Sequence, residues 1–206
     1  MQSFLETVGL TSPETTTTTM STTTSQSQYF TRDDVALNNI ARYFEIGGKI
    51  KCWKAKQLIK YMNQRGGRVV FNDITAPKKT EWGTSLEAFE YLLEYQKNVN
   101  KELLDLHTVA TKNNDYQLCD FIETEFLHDM VKHLEELGWI CTNLRRVGKG
   151  VGEYVFDEQY FKNLDKVGHT LKWLTECMKK LDVNDSCVGT VGKTGIVDRI
   201  GDLILL

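Results

Sequence analysis

The chain has 206 residues, 41% apolar and 26% charged, with 15 Gly and 2 Pro, a length that suits one globular domain with tails and can bury a sizeable core. A formal net charge of −3 lacks the basic field of a dedicated nucleic-acid binder, and no apolar run approaches the roughly 20 residues that span a bilayer. The opening MQSFLETVGL has no basic stretch ahead of an apolar core, so no secretory leader is expected and the expectation is a cytoplasmic protein with no nucleic-acid or membrane partner.

Residues 11–28 read TSPETTTTTMSTTTSQSQ, a Thr/Ser tract with no hydrophobic period. Thr is stiff at χ1 and competes poorly for helix, and there is little to bury, so this tract is expected to be disordered. From Tyr29 the composition turns globular. A first helical period runs from about Ala36 to Asn63, with Leu37, Ile40, Ala41, Phe44, Ala55, Leu58, Ile59 and Met62 on its stripe. Gly47 and Gly48 interrupt it, each costing about 1 kcal/mol relative to Ala, which predicts a weak or kinked stretch. Arg65-Gly66-Gly67 is a plausible helix end.

Residues 66–83 follow as a long connection with a short β-like run from Val69 to Phe71. A second helix is predicted from about Ser85 to Lys112, capped by Thr84 or Ser85 with Glu87 in its first turn. The polar turn Lys112–Asp115 leads to a third helix from about Gln117 to Arg146. Gly148, Gly150 and Gly152 break the pattern, and a fourth helical stretch is predicted from Glu153 to about Leu181. The remaining residues are Gly-rich and end in the apolar GIVDRIGDLILL, which reads as a docking tail. The periods alone describe a helical bundle with a long crossover.

Five cysteines (Cys52, Cys119, Cys141, Cys177 and Cys187) form no CxxC pair, and their odd number and wide spacing predict free thiols rather than a disulfide framework or a zinc site. Glu125 and His128 spell E-x-x-H, but no second such pair exists to face it, so a solvated helix face is expected. His133 reads as a satisfied core histidine. Gly189–Thr194 lacks the spacing of a phosphate loop, and no arrangement for nucleophilic catalysis is present.

The segments YFTRDDVALNNIARYF, YMNQRGGRVVFNDI, APKKTEW, EYQKNVNKELLDLH, CDFIETEFLHDMVKHLEELGWICTNLRR and EYVFDEQYF occur in order and at proper spacing. Over residues 29–161 the chain resembles the ferritin family, in its animal heavy- and light-chain form. The resemblance implies an all-α, ferritin-like helical bundle with helices A to D, a long B–C crossover and a short helix E, here with an extra C-terminal helix or tail. The division it implies is a disordered segment 1–28, a ferritin-like domain 29–162 and a C-terminal extension 163–206. It further implies self-association, or co-assembly with other ferritin chains, into a shell of two dozen subunits that stores ferric iron.

The family's ferroxidase ligands are carboxylates and a histidine inside the bundle, hard donors suited to iron. Here the helix A register falls on Thr16, those of helix B on Lys51 and Lys54, that of helix C on Gln96 and that of helix D on Met130. Two ammonium groups one turn apart oppose bound cations. Ile50 and Trp53 stand where nucleating glutamates are expected. The resemblance therefore implies a non-enzymatic, light-chain-like subunit whose iron, as Fe²⁺ or Fe³⁺, is transported or stored rather than held at a di-iron centre. The channel registers of the three-fold axis hold Asp120, Glu123, Cys119 and His107, and three copies would place six carboxylates where Fe²⁺ is admitted.

The tract before Tyr29 does not read as helix A, and three outcomes follow: the C-terminal extension fills the gap, a partner subunit fills it, or the chain is a rearranged gene product that folds poorly. The lost ligands and the extension also fit an alternative, a cage that stores no iron and acts as a chaperone, resembling artemin.

Overall fold

The computed structural model describes residues 18–69, 77 and 79–162. These are α-helical with two short π-helical turns, and no strand occurs among the described residues. The elements are α1 (Thr18–Thr31), α2 (Asn38–Gln64), α3 (Ser85–Lys112), α4 (Tyr116–Ile122), α5 (His128–Val147) and α6 (Val151–Phe156). Glu123–Leu127 and Asp157–Phe161 form the π turns. The described residues fall into two compact units, one within 18–82 and one within 83–162.

The first unit pairs α1 with α2. Here the structure corrects the expectation of disorder for part of the tract: residues 18–28 are helical. Thr22, Thr23, Gln26 and Ser27 are buried, as is Phe30. The physical reason is packing rather than propensity, since tertiary contacts override a weak intrinsic preference. Small side chains let the helices approach closely. An added Cβ at Gly48 of α2 would stand 3.3 Å from the Thr23 Oγ1 of α1. Gly48 thus serves as a contact surface, and α2 runs through both glycines without a break.

The Thr/Ser character is also used for bonding. Thr31 Oγ1 donates to the Ser27 carbonyl (2.8 Å), the i−4 back-bond open to a helical hydroxyl. Ser25 Oγ donates to the Lys79 carbonyl (3.2 Å) and accepts from Trp82 Nε1 (3.3 Å). The Lys79 ammonium lies over the Trp82 ring, 5.1 Å from its centroid. Phe30 stacks on Phe44 at 5.7 Å. Arg32 forks onto Asp34 and reaches Glu81 (2.8 Å). That hydrogen-bonded pairing holds the Asp34 carboxyl below its ordinary range.

The second unit packs α3 against α5. Thr84 Oγ1 accepts from the Glu87 N–H (3.2 Å) to cap α3, in the Thr-x-x-Glu pattern of a capping box. Asp115 caps α4 through the Leu118 N–H (3.1 Å). The third predicted helix is present from Tyr116 to Val147 but is interrupted by the π turn at Glu123–Leu127, a register change that apolar periodicity does not encode. Gly148, with φ +71°, closes α5. Gly152 can carry no side chain, because an added Cβ would stand 2.2 Å from the Val147 carbonyl oxygen.

The fourth predicted stretch is helical as far as Phe161, and its continuation to Leu181 lies outside the described residues, as do the extension 163–206, Gly189–Thr194 and the β-like residues 70–71. An aromatic cluster ties the α6 region to its neighbours: Phe161 stacks on Phe89 of α3 at 5.6 Å, and Tyr160 on Trp139 of α5 at 4.7 Å. Glu153 of α6 accepts from the Ser85 N–H at 2.7 Å and from the Ser85 hydroxyl. A carboxylate thus sits on orphan donors at the positive end of α3.

Cys119 and Cys141 are free, as expected. Burial and the nearby Glu90 carboxylate push the Cys141 thiol up to about 11, which keeps it inert. Cys52, fully buried on α2, is half of a disulfide. This corrects the expectation for that residue, because linear spacing does not reveal which cysteines the fold brings together. Cys177 and Cys187 lie outside the described residues.

The two glycines of α2 should respond oppositely. An added Cβ at Gly47 meets nothing within 4 Å, so Gly47→Ala is expected to stabilise the protein by about 0.5–1 kcal/mol. Gly48→Leu is expected to destabilise it by about 1–3 kcal/mol through overpacking against Thr23. Denaturant titration of both variants checks the pair. Glu153→Ala is expected to cost about 1–2 kcal/mol in the same assay, since it strips the partner from the start of α3.

Candidate iron-handling site

Two groups of residues carry the chemistry anticipated from the sequence. The first lies in the second unit, where the last turns of α3 meet α4 and the π turn. His107 Nε2 of α3 lies 2.5 Å from Glu123 Oε1. A carboxylate only accepts, so the ring nitrogen donates. Cys119 Sγ lies 3.6 Å from the Thr111 hydroxyl. Asp120 is exposed one turn before Glu123. The structure therefore brings His107 and Glu123 together, sets Cys119 against Thr111, and leaves the Asp120 carboxylate in solvent.

This end of the unit is acidic. Asp115, Asp120, Glu123 and Glu125 fall within eleven residues that contain no Lys or Arg. Within one chain the acids do not converge: among the described residues no group of three or more His, Cys, Asp or Glu side chains could hold a metal ion. A carboxylate pair of this kind attracts cations through its field and needs other copies to surround one.

The second group is the set expected from the sequence at the ferroxidase registers. Thr16 lies outside the described residues. Lys51 and Lys54 lie on α2, Gln96 on α3 and Met130 on α5, the last two buried. The stem of Lys51 is half-exposed, but its ammonium nitrogen is fully covered. Burial pushes that ammonium down to about 7, because removing a charge from water favours the neutral form. Gln96 and Met130 are neutral, and neither can replace a carboxylate as a hard anionic ligand.

His133 is buried, as expected of a core histidine, and His128 is exposed while Glu125 is half-buried. Two charged positions were missed by sequence reasoning. Glu136 is buried, and its charge together with burial raises the Tyr160 phenol above its ordinary range, burial contributing more. Glu153 caps α3. A glutamate at helical spacing on a predominantly polar face carries no mark that distinguishes such a role.

Residues 17–147 match the family model described as the ferritin-like domain. The chain is 47% identical over 135 residues to soma ferritin of Lymnaea stagnalis, an alignment covering 66% of this chain and 78% of that protein. It is 45% identical over 141 residues to the ferritin middle subunit of Aquarana catesbeiana, covering 67% and 80%. The chain therefore belongs to the ferritin family, and its fold is the all-α, ferritin-like helical bundle expected from the sequence. The match begins ahead of Thr18, so it includes the helical Thr/Ser tract. No described helix is long and apolar enough to cross a membrane.

The buried lysine has a pH signature. In the fold Lys51 loses its proton at about 7, whereas the ordinary value for a lysine is 10.5. Between those two values the unfolded chain holds the extra proton, so this group makes stability rise with pH from about 7 to 10.5. Below about 7 the full cost of the buried charge is present. Lys51→Met is expected to raise the melting temperature at neutral pH and to flatten the rise between pH 7 and 10. Thermal melts of both proteins across that range read the difference.

Proposed function

We propose that this chain is an iron-storage ferritin subunit without a ferroxidase centre of its own, acting in the cytoplasm in a shell built from its own copies or shared with active ferritin chains. The observation that carries this reading is Lys51, an ammonium covered by the fold at a register where the family places an iron-binding carboxylate. Lys54 stands one turn later at the histidine register. A pair of irons there would meet cationic or neutral nitrogen in place of anionic oxygen, and nothing would offset the metal charge. Fe²⁺ oxidation at this position has no support from the side chains, and the chain is read as non-enzymatic.

Iron reaches such a shell as cargo. Asp120 and Glu123, with His107 hydrogen-bonded to Glu123 and Cys119 beside them, supply the cation-attracting surface. Three copies arranged about an axis would focus a negative potential on it, raising the local concentration of Fe²⁺. The carboxylates act through their field and through transient contacts, and oxidation falls to the partner chains.

Iron loading of purified shells tests this reading. The protein alone is expected to oxidise added Fe²⁺ no faster than buffer, while shells mixed with an active ferritin chain accumulate ferric iron. Asp120→Asn with Glu123→Gln in this chain is expected to slow iron uptake by mixed shells severalfold, in proportion to the fraction of variant subunits. Rapid oxidation by the unmixed protein would overturn the non-enzymatic assignment. A shell that stays iron-free even with an active partner would favour the chaperone-like alternative.

A further inference from the structure

Neither the channel acids nor the ferroxidase registers make use of the aromatic cluster where α5 meets the α6 region. Trp139 of α5 is 46% exposed. The other described tryptophans are better covered, Trp82 fully buried and Trp53 half-buried. An oxidant arriving from solvent therefore meets the Trp139 indole most readily.

Tyr160 lies against that indole. The two rings stack with centroids 4.7 Å apart and planes 25° from parallel. Phe156 stacks on the same tyrosine at 4.9 Å, and Phe161 meets it edge-on at 4.9 Å. Three aromatic rings thus surround the half-buried Tyr160. Stacked rings are in van der Waals contact through their π faces. Electron exchange between rings falls steeply with separation, and contact removes that limit.

A phenol gives up an electron readily only if its proton leaves with it, because a phenol radical cation is a strong acid. The proton needs a base. Glu136 stands three residues before Trp139, on the same side of α5, and is buried. Its carboxylate is close enough for its charge to act on the Tyr160 phenol. A carboxylate has acceptor sites for that proton. Burial adds a driving force, since low-dielectric surroundings favour neutral groups over charged ones.

We propose that Trp139, Tyr160 and Glu136 form a radical trap, which takes one oxidising equivalent from an oxygen-centred radical in solvent and holds it on the Tyr160 ring. Trp139 gives one electron to that radical, which leaves as its anion. Tyr160 then gives one electron across the stack and restores the neutral indole, while its hydroxyl proton passes to the Glu136 carboxylate. A neutral tyrosyl radical and a neutral carboxylic acid remain where an indole cation and a carboxylate anion stood. Phe156 and Phe161 shield the tyrosyl ring from coupling with a second radical. This assignment stands apart from the iron-storage reading and does not depend on it.

Pulse radiolysis of the full chain, iron-free and at neutral pH, tests the trap with the azide radical as the oxidant, since that radical attacks indoles selectively. The indolyl and tyrosyl absorbance bands are followed separately. In the wild-type protein the indolyl band is expected to decay as the tyrosyl band rises, at a rate independent of protein concentration. Tyr160→Phe keeps the ring and its packing but removes the hydroxyl, and is expected to abolish most of the tyrosyl yield. Trp139→Phe is expected to do the same. Tyr154→Phe, at an exposed tyrosine of α6, should leave the yield nearly unchanged. Glu136→Gln is expected to slow the rise about tenfold or more, as loss of a proton acceptor does. Circular dichroism confirms that each variant is folded. Absence of the concentration-independent rise in the wild type, equal losses in the Tyr160 and Tyr154 variants, or an unslowed rise in Glu136→Gln would overturn the assignment.

Discussion

The close approach of α1 and α2 at Thr23 and Gly48 is the constraint on which the first unit rests. The early turns of α1 bring hydroxyls and amides to the interface in place of the usual apolar stripe, so they gain little from removing hydrocarbon from water. Their gain comes from contact density, since dispersion falls steeply with even a small radial gap. Close contact requires a partner without bulk, and Gly48 meets that need. Each buried hydroxyl must also find a bond, because an unmet one costs about 1–3 kcal/mol. At the edges of the interface, exposed Thr31 bonds to its own helix, and half-buried Ser25 links the Lys79 carbonyl to the Trp82 indole. Trp82 is fully buried, so the chain leading into α3 is anchored through the polarity of α1. A more conventional apolar helix would offer no hydroxyl at that point.

Buried charge poses the opposite problem on α2. An ammonium held out of water is costly, and the fold meets the cost by letting Lys51 give up its proton near neutrality. The group is then an amine for part of the time, a neutral donor and acceptor that is easier to bury. Cys141 and Tyr160 follow the same rule in the second unit, where burial favours the thiol and the phenol over their anions. The charged groups around α4 behave differently because they are wet. Glu123 stays largely exposed while it holds His107, which preserves a field that reaches into solvent.

Much of the fold was legible because long apolar periods are a strong signal. The stretch Ser85–Lys112 and its Thr84 cap were read directly, since capping residue, first-turn acid and periodic stripe agree there. The helicity of residues 18–28 was not legible. A run of Thr and Ser lacks the stripe by which helices announce themselves, and the glycine that accommodates it lies more than twenty residues further on. The π turn at Glu123–Leu127 was hidden for a related reason: it shifts the register by a single residue inside a helix whose overall period survives. At the candidate site, the identities of Asp120, Glu123, His107 and Cys119 came from the resemblance. The His107–Glu123 contact depends on how α3 turns into α4, which the spacing of sixteen residues does not specify. Glu153 capping Ser85 is of the same kind, a pairing across 68 residues that only the fold creates.

The changes on α2 have a consequence for any mixed shell. Under the proposed function, admission of Fe²⁺ would depend on carboxylates near α4 and oxidation on ligands within the bundle, and this chain would keep the former residue types and have exchanged the latter. On the reading proposed above, replacing an active subunit by this one removes one oxidation centre and leaves the attracting field at its channel intact. Oxidative capacity then falls with the fraction of this chain, while the supply of Fe²⁺ to the interior does not. The balance between the two becomes a matter of subunit composition rather than of any switch within a subunit. A chain suited to that use needs no catalytic residue, but it must keep the contacts that hold its helices in the shared fold.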